Sequence, residues 1–247
     1  MNLKFDKKRL LRLTNYRYLI NSVLYPWINE YSRVSYSQEG EDRILFSLFG
    51  DKMNGFYVDV GAHHPERFSN TNLFYNLGWR GINIDANKDM VNLLRRKRPK
   101  DTNVCVGVGL IEKKRRFTIF DEPAINTFVR KNVEENEKMT PFKVKDERVI
   151  KILKLSTVLD KYLPSGQEID FLSIDVEGMD YEVLRSNNWM KYRPHFIAIE
   201  IFGGKSFGEI NRSKITRFLF KHKYEPEAKT VNTVIFKRVN HLKNTRP

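Results

Sequence analysis

Two acidic residues, Asp59 and Asp85, stand where the sequence predicts the ends of two β-strands. They belong to short runs of β-prone residues, 56–62 and 81–85, and the helix-length segment 68–77 separates these runs. A strand, a helix and a second strand in this order predict a β-α-β unit. In open parallel sheets, ligands bind in the crevice at the carboxyl ends of the strands. The two carboxylates are therefore candidates for a nucleotide-binding site.

The spacing of these acids suits a site that binds a ribose. Asp85 follows Asp59 at close to the roughly 20-residue separation expected of a ribose-binding acid, and a carboxylate can accept from both ribose hydroxyls. Gly61 has no Cβ, so the chain can turn sharply there and a ligand can approach its backbone. The alternative is an ordinary sheet whose strand-end acids cap helices or face solvent. The glycine and the two acids together favour the site.

The glycine pattern after the first strand indicates which nucleotide could bind. A dinucleotide site needs three glycines, G-x-G-x-x-G, so that a pyrophosphate can rest on a helix N-terminus. Residues 61–66 read Gly-Ala-His-His-Pro-Glu, which keeps only the first glycine, and Glu66 would repel a phosphate. The sequence also lacks the phosphate-binding pattern G-x-x-x-x-G-K-[ST]. The pattern favours a phosphate-free adenosine cofactor, S-adenosylmethionine.

Five motifs, in order along the chain, resemble those of the FkbM-type methyltransferases. They are SQEGEDRIL at 37–45, VDVGA at 58–62, SNT at 69–71, GWRG at 78–81 and IDVEG at 174–178. The resemblance extends from about residue 35 through NTVIF at 232–236, which is most of the chain. Two positions depart from the family pattern. His-His-Pro follows Ala62 where a further glycine is usual, and Asp85 is one methylene shorter than the common glutamate.

The resemblance implies a Rossmann-like class I methyltransferase fold. This is an α/β fold whose seven-stranded, mostly parallel sheet has an antiparallel last strand. The resemblance also implies S-adenosylmethionine as the methyl donor, and transfer to a hydroxyl, usually of a sugar or a polyketide-type product. On this basis we expect the cofactor to contact Gln38, Asp59, Gly61, Ala62, Asn70, Asp85, Ala86 and Asp175.

Three residues are candidates for the base that accepts the hydroxyl proton. Methyl transfer from a sulfonium depends mainly on positioning, so the protein needs little more than this base. His64 is one candidate because an imidazole titrates near neutral pH, although His63 and His64 could also be a surface pair. Asp175 and Glu177, which follow a predicted strand, are the others. Asp175 and Glu200 are also candidate ligands of a Mg²⁺ ion that would lower the acceptor's pKa, unless they only cap helices.

Length and composition predict one main domain. The chain has 247 residues, of which 40% are hydrophobic, enough to bury a single core. We predict a basic amphipathic helical extension at 1–34, the methyltransferase domain at 35–240 and a tail at 241–247. Cys105 is the single cysteine, so an internal disulfide cannot form and we expect a cytoplasmic protein. The apolar neighbours of Cys105 predict that it is buried.

The net charge of +14, from 44 Lys and Arg against 30 Asp and Glu, favours an acidic partner or surface. In the predicted extension, basic residues alternate with leucines. Such a helix could lie on the anionic inner face of a membrane or pack on the core. The basic clusters at 95–98 and 113–116 fall at a predicted helix end and in a predicted loop, where charges are usually solvated. We expect no nucleic-acid partner, because the sequence has no zinc-ligand spacing or RNA-recognition signature.

Hydrophobic patterns predict the remaining elements of a wound sheet. Strands are predicted at 103–108, 117–120, 149–153, 169–174 and 195–201, a terminal hairpin at 224–228 and 231–237, and helices at 88–98, 157–163, 181–187 and 213–222. The segment 122–145 is charged without periodicity and is interpreted as an insertion or lid. Within it, Asn126-Thr127 resembles a family motif that faces the site.

These features together predict an S-adenosylmethionine-dependent O-methyltransferase acting on a sugar hydroxyl of a glycan or glycolipid. An NAD-dependent sugar oxidoreductase is the enzymatic alternative. A basic nucleic-acid-binding module that keeps an inactive cofactor fold is the non-enzymatic alternative. The predicted partners are a carbohydrate or glycolipid acceptor and an anionic membrane surface.

Overall fold

The computed structural model describes residues 31–201 and 206–239. By its contacts the chain divides into two units, residues 1–35 and 36–247. The predicted extension at 1–34 falls almost wholly outside the described residues, and the predicted tail at 241–247 lies outside them too. Within the described ranges, none of the helices is long and apolar enough to cross a membrane.

The described part of the second unit contains ten β-strands. They are β1 (Phe56–Val60), β2 (Arg80–Asp85), β3 (Thr102–Cys105), β4 (Gly107–Val108), β5 (Lys113–Phe120), β6 (Val144–Leu153), β7 (Phe171–Ile174), β8 (Phe196–Glu200), β9 (Tyr224–Lys229) and β10 (Thr233–Arg238). Seven form one sheet in the order β3-β2-β1-β7-β8-β10-β9. Neighbours pair in parallel except β10, which is antiparallel to β8 and β9. The predicted mostly parallel seven-stranded sheet with an antiparallel last strand is confirmed.

Helices cover this large sheet. In the described ranges they are α1 (Glu41–Phe49), α2 (Asn72–Asn76), α3 (Lys88–Lys97), α4 (Arg130–Met139), α5 (Leu155–Tyr162), α6 (Asp180–Ser186), α7 (Phe207–Arg212) and α8 (Lys214–Lys221). Strand residues alternate between the two faces of the sheet. Val58 and Val60 accordingly join one apolar cluster, and Tyr57 and Phe171 join another. All residues of β1 are buried, as expected for a central parallel strand.

A second, smaller sheet has the strand order β4-β6-β5. The strand predicted at 103–108 is therefore divided, because β3 pairs in the large sheet whereas β4 pairs with β6. The prediction of a loop at 113–116 is wrong, since these residues form the first half of β5, which is antiparallel to β6. The segment predicted as an insertion, 122–145, contains a 3₁₀ turn at Pro123–Ile125 and helix α4.

Arg98 is buried, which corrects the prediction that the basic cluster at the end of α3 is solvated. Only 1% of its surface is exposed. Its Nη1 donates to Thr71 Oγ1 at 2.7 Å, and its Nη2 donates to Ser69 Oγ at 2.8 Å and to the Pro65 carbonyl. Thr71 Oγ1 in turn donates to Asp59 Oδ2 at 2.7 Å. Because its partners lie along the loop between β1 and α2, Arg98 holds that loop against β1.

Cys105 is exposed, so the prediction that it is buried is wrong. It is the last residue of β3, which forms an edge of the large sheet and pairs with β2. Because strand side chains point to the faces of the sheet, the exposure of Cys105 means that its face is left uncovered at this end of β3.

Replacing Arg98 with Met is expected to destabilise the fold by about 3 kcal/mol, because the buried Asp59 carboxyl then loses its nearby cation and the loop loses its donors. Urea denaturation of the wild type and the variant measures this difference in the free energy of unfolding. Arg96→Met is the matched control, since Arg96 is an exposed residue of the same helix. We expect the control to change stability by less than about 0.5 kcal/mol. Equal effects of the two substitutions would contradict the role assigned to Arg98.

Candidate functional site

Two adjoining cavities open at the carboxyl ends of β1, β2 and β7. The apolar cavity, of about 570 Å³, has side chains such as Ala86, Val106 and Phe128 in its wall. The polar cavity, of about 490 Å³, has side chains such as Gln38 and Asn70 in its wall. Residues that line both are Gly61, His63, Ala124, Asp175 and Glu177. These volumes include space open to solvent. The place of the cavities at the carboxyl edge of a parallel sheet is typical of small-molecule sites.

The turn after β1 depends on Gly61. Its φ is +86°, in the left-handed region that glycine adopts easily. A Cβ on Gly61 would lie 1.7 Å from the carbonyl oxygen of Asp175. The backbone just after β7 therefore already requires a glycine at this position, and the approach of a ligand is an additional reason. The absence of a Cβ on Gly61 allows the ends of β1 and β7 to lie close together beneath the cavities.

Asp85 joins the two loops of the predicted ribose site. Its Oδ2 accepts from the backbone N–H of His63 at 2.8 Å, and its Oδ1 accepts from that of Asn87 at 2.6 Å. Asn87 also caps α3, because its side chain accepts from the backbone N–H of Asp89. Burial raises the pKa of Asp85 to about 6, against the lowering effect of the two backbone bonds. A carboxylate has about four lone-pair positions, so Asp85 keeps acceptor capacity for ribose hydroxyls.

The structure brings His63 to both cavities and leaves His64 outside them. His64 Nδ1 accepts from the backbone N–H groups of Glu66 and Arg67 at 3.1 and 2.9 Å. The ring of the predicted base is thus folded back onto its own loop. His63 has a φ of +45°, and its buried Nε2 has no hydrogen-bond partner among the described residues. Burial lowers the pKa of His63 to about 4, so its imidazole is neutral at physiological pH.

A tight turn after β7 places Asp175 and Glu177 where the two cavities meet. Glu177 has a φ of +52°, which is unusual for a residue with a side chain. Its carbonyl oxygen accepts from Thr127 Oγ1 at 3.0 Å and from Asn132 Nδ2 at 2.8 Å. These two bonds from the segment between β5 and β6 hold the turn in its strained conformation.

The acidic groups around this turn have raised pKa values. Burial, followed by the charge of Asp180, raises the pKa of Glu177 to about 7. The side chain of Asp175 is exposed to the cavities, yet desolvation by the surrounding groups, followed by the charge of Glu177, raises the pKa of Asp175 well above its usual value. A cation that enters the cavities favours the ionised carboxylates, and they stabilise the cation in turn.

The predicted cofactor contacts all line one or both cavities. Gln38, Asp59, Gly61, Ala62, Asn70 and Asp175 line the polar cavity, and Gly61, Asp85, Ala86 and Asp175 line the apolar cavity. Asp59 is 5% exposed, and burial raises its pKa. Asn70 Nδ2 donates to Ser173 Oγ at 3.1 Å, which orients its amide at the end of β1 and β7. Contact of these residues with a cofactor stays a prediction.

The predicted Mg²⁺ site is not supported. Within residues 31–201 and 206–239, no group of three or more His, Cys, Asp or Glu side chains is arranged to hold a metal ion. Glu200 lines neither cavity, and its buried Oε2 has no hydrogen-bond partner among these residues. Burial, followed by the charge of Asp175, raises the pKa of Glu200 to about 10.

Several residues of the apolar cavity carry no signal in the sequence. Met90 and Phe128 have the same apolar pattern whether they line a cavity or fill a core, so their role is visible only in the folded chain. Asn126 is different, because the Asn-Thr pair resembles a family motif. Its Oδ1 accepts from the backbone N–H of Phe120 at 2.8 Å, and its buried Nδ2 has no partner among the described residues. Asn126 therefore offers a donor at the cavity wall.

The two cavities fit S-adenosylmethionine. The apolar wall suits an adenine ring, Asp85 suits the ribose hydroxyls, and the carboxylates of Asp175 and Glu177 complement the positive sulfonium and ammonium groups. In the described part of a chain with net charge +14, neither cavity is lined by Lys or Arg. The cavities therefore provide no cation for a phosphate, which agrees with a phosphate-free cofactor.

The sheet and the site are those of a Rossmann-like methyltransferase that uses S-adenosylmethionine. Residues 59–226 match the methyltransferase FkbM domain, and the chain belongs to this family. This match confirms the predicted family, the enzyme class and the methyl donor.

Two solved structures are similar to the chain. A TehB-like SAM-dependent methyltransferase from Corynebacterium glutamicum has 10% identity and a TM-score of 0.40, with 92% of this chain and 97% of that chain covered. A protein proposed to be an RNA methyltransferase from Pyrococcus horikoshii has 13% identity and a TM-score of 0.38, with 85% and 91% covered. No curated protein matches the chain.

We predict that the wild-type protein loses stability relative to Glu177→Gln as the pH rises from about 5 to about 8. The pKa of Glu177, about 7 against an ordinary value of 4.5, means that the folded state favours the protonated carboxyl. This contribution to stability is fully present at pH values below the ordinary pKa of 4.5, and it is lost as the pH rises through the pKa of about 7 in the folded state. The expected relative loss is about 2 kcal/mol in the free energy of unfolding, measured by urea denaturation without cofactor.

Glu137→Gln is the control for this measurement, because Glu137 is an exposed residue of α4. It should follow the wild type at each pH. If the stability difference between the wild type and Glu177→Gln is the same at both pH values, the raised pKa assigned to Glu177 is contradicted.

Proposed function

We propose that the enzyme transfers a methyl group to a hydroxyl of a sugar in a glycan or glycolipid. Family membership gives methyl transfer from S-adenosylmethionine, and the proposal adds the hydroxyl and the sugar. The observation that carries it is the Glu177 carboxyl, which lies where the two cavities meet and has a pKa of about 7. A carboxyl with this pKa can accept a hydroxyl proton near neutral pH.

Each part of the site has a simple role in this reaction. When bound, S-adenosylmethionine supplies an electrophilic methyl group. The apolar wall and Asp85 orient the adenosine portion, and the polar cavity holds the amino-acid portion and receives the acceptor hydroxyl beside it. Glu177 accepts the proton that the acceptor hydroxyl releases. Because the displacement needs little covalent help, orientation of the two reactants supplies most of the rate enhancement.

Glu177 is a better base than the other two candidates from the sequence. His64 lines neither cavity, and its Nδ1 is already bonded to its own loop. Desolvation, followed by the charge of Glu177, raises the pKa of Asp175 well above its ordinary value. The pKa of Glu177, about 7, is matched to neutral pH, which favours Glu177 as the base.

The polar lining supports a sugar acceptor over the two alternatives. Gln38, Asn70 and the carboxyl groups of the polar cavity can bond several hydroxyls at once. An NAD-dependent reaction is disfavoured, because the lining of both cavities has no Lys or Arg, within the described ranges, to hold a pyrophosphate. A nucleic-acid substrate is disfavoured as well, since carboxylates at the cavity junction repel a phosphate backbone.

Incubation of the protein with methyl-deuterated S-adenosylmethionine and a panel of glycans and glycolipids tests the proposal. Mass spectrometry should find the labelled methyl on a sugar oxygen. Glu177→Gln should lower kcat by at least about a hundredfold, while the Kd for S-adenosylhomocysteine, measured by calorimetry, changes less than about tenfold. His64→Asn is the control and should stay active, because the Asn Oδ1 can accept from the same loop amides. Label on an amine or a nucleic acid, or an active Glu177→Gln, would contradict the proposal.

We further propose that the basic segment at 1–34 holds the enzyme at the cytoplasmic face of an anionic membrane, near a lipid-linked acceptor. The alternation of basic residues and leucines supports this. In a flotation experiment, vesicles that contain phosphatidylglycerol should recover the protein, and vesicles of phosphatidylcholine alone should not. Failure of the anionic vesicles to recover it would argue against membrane binding without affecting the proposed reaction.

A further inference from the structure

A third cavity, away from the candidate site, is strongly basic. It measures about 1160 Å³ including space open to solvent, and we name it the Trp189 cavity after a residue in its wall. In the described structure it shares no lining residue with the apolar or polar cavity. Its lining includes no Asp or Glu from these residues but has five basic side chains: Lys154, Arg185, Arg193, Lys221 and Lys223.

These five cations lack a directly paired carboxylate in the described structure. Within the described ranges, none of them forms an ion pair. Arg193 is held in place, since its Nη2 donates to the His222 carbonyl at 2.9 Å. Glu112, which accepts from the Lys154 backbone and from Thr157, does not line the cavity. Like charges around one opening repel each other, and an anion in the opening relieves this repulsion.

Helix ends explain only part of this charge. Arg185 and Lys221 lie in the last turns of α6 and α8, where the helix dipole favours a cation. Lys223 follows His222, the C-cap of α8, so the same dipole favours its charge, and its φ of +66° is the left-handed conformation in which many helices end, usually at glycine. Lys154 lies at the N-cap of α5, where the helix dipole disfavours a cation. The helix ends therefore leave the charge of Lys154 unexplained.

The wall also contains groups suited to an organic ligand. Trp189 stacks on His222, with ring centroids 5.1 Å apart and an interplanar angle of 26°. Asn187 is 9% exposed, and its Nδ2 donates to the Tyr192 carbonyl at 3.0 Å. This bond fixes the amide, and the buried Oδ1 is left without a partner among the described residues.

We propose that the Trp189 cavity binds a phosphate-bearing group, either of a free sugar phosphate or of an anionic lipid headgroup. The loop that contains Trp189 leads to the amino end of β8, and Lys223 immediately precedes β9. The candidate methyl-transfer site lies at the carboxyl edge of the same sheet. The Trp189 cavity is therefore a second binding site, separate from the cofactor, and it does not depend on the acceptor proposed above.

Calorimetric titration with inorganic pyrophosphate at low ionic strength tests the free-phosphate source. The variant Lys154→Gln/Lys221→Gln/Lys223→Gln should bind pyrophosphate at least about tenfold more weakly than the wild type, because three charge-assisted contacts are removed. The matched control is Lys100→Gln/Lys114→Gln/Lys138→Gln, which removes the same charge from exposed lysines outside the cavity. The control should bind within about twofold of the wild type.

Sedimentation with phosphatidylglycerol vesicles, against phosphatidylcholine vesicles, tests the lipid source with the same variants. Weaker vesicle binding by the cavity variant than by the control, without pyrophosphate binding by the wild type, would assign the site to a lipid headgroup; the binding that remains is expected from the segment 1–34. Equal losses in both variants would show a general charge effect and overturn the proposal. Absence of binding to both probes would overturn it too.

Lys223→Gly separates binding from folding. Glycine relieves the positive φ, so the variant should be as stable as the wild type or more stable, and should still bind pyrophosphate or vesicles about threefold more weakly. Unchanged binding in this variant and in the triple cavity variant would contradict the proposal.

Discussion

Carboxyl groups gathered at one edge of the large sheet are the constraint on which the site depends. Asp59, Asp85, Asp175 and Glu177 lie at or just after the ends of three neighbouring strands, because parallel strands bring their carboxyl ends to the same edge. Burial raises the pKa of each group. The cavities thus hold carboxyl groups that ionise at a cost, and a cationic cofactor reduces that cost. The same desolvation places the Glu177 pKa where a general base is effective.

Supports from distant parts of the chain hold this edge in place. Arg98 braces the loop after β1 through Thr71, whose hydroxyl bonds Asp59. The first motif is anchored differently: Glu39 accepts from the backbone N–H and the Nδ2 of Asn232 at 2.8 and 2.7 Å. This pair ties the residues around Gln38 to the turn between β9 and β10. Motifs that are far apart in the chain therefore form one wall because their polar partners pair only in the folded state.

Charge is unevenly distributed over the described structure. The protein has a net charge of +14, yet within the described ranges the apolar and polar cavities are lined by acidic residues and by no Lys or Arg. The Trp189 cavity is lined by basic residues and, in the same ranges, by no Asp or Glu. Such separation raises the energy of each region, since like charges repel. The two regions favour ligands of opposite charge, and the large sheet keeps them on opposite edges.

Local pattern was sufficient for β1, β2 and the strand-end positions of Asp59 and Asp85, and the family motifs were sufficient for the mostly parallel sheet, because both kinds of signal lie in short stretches of neighbouring residues. The burial of individual side chains and the pairing of the remaining strands depend on tertiary packing. Arg98 belongs to a run of basic residues whose members look alike in sequence, yet it alone is buried among these four. His63 and His64 are adjacent, and only the backbone of their loop determines which ring meets the cavities. Cys105 and the strand at 113–116 depend on which edges pair, and pairing is set by contacts between residues far apart in the chain.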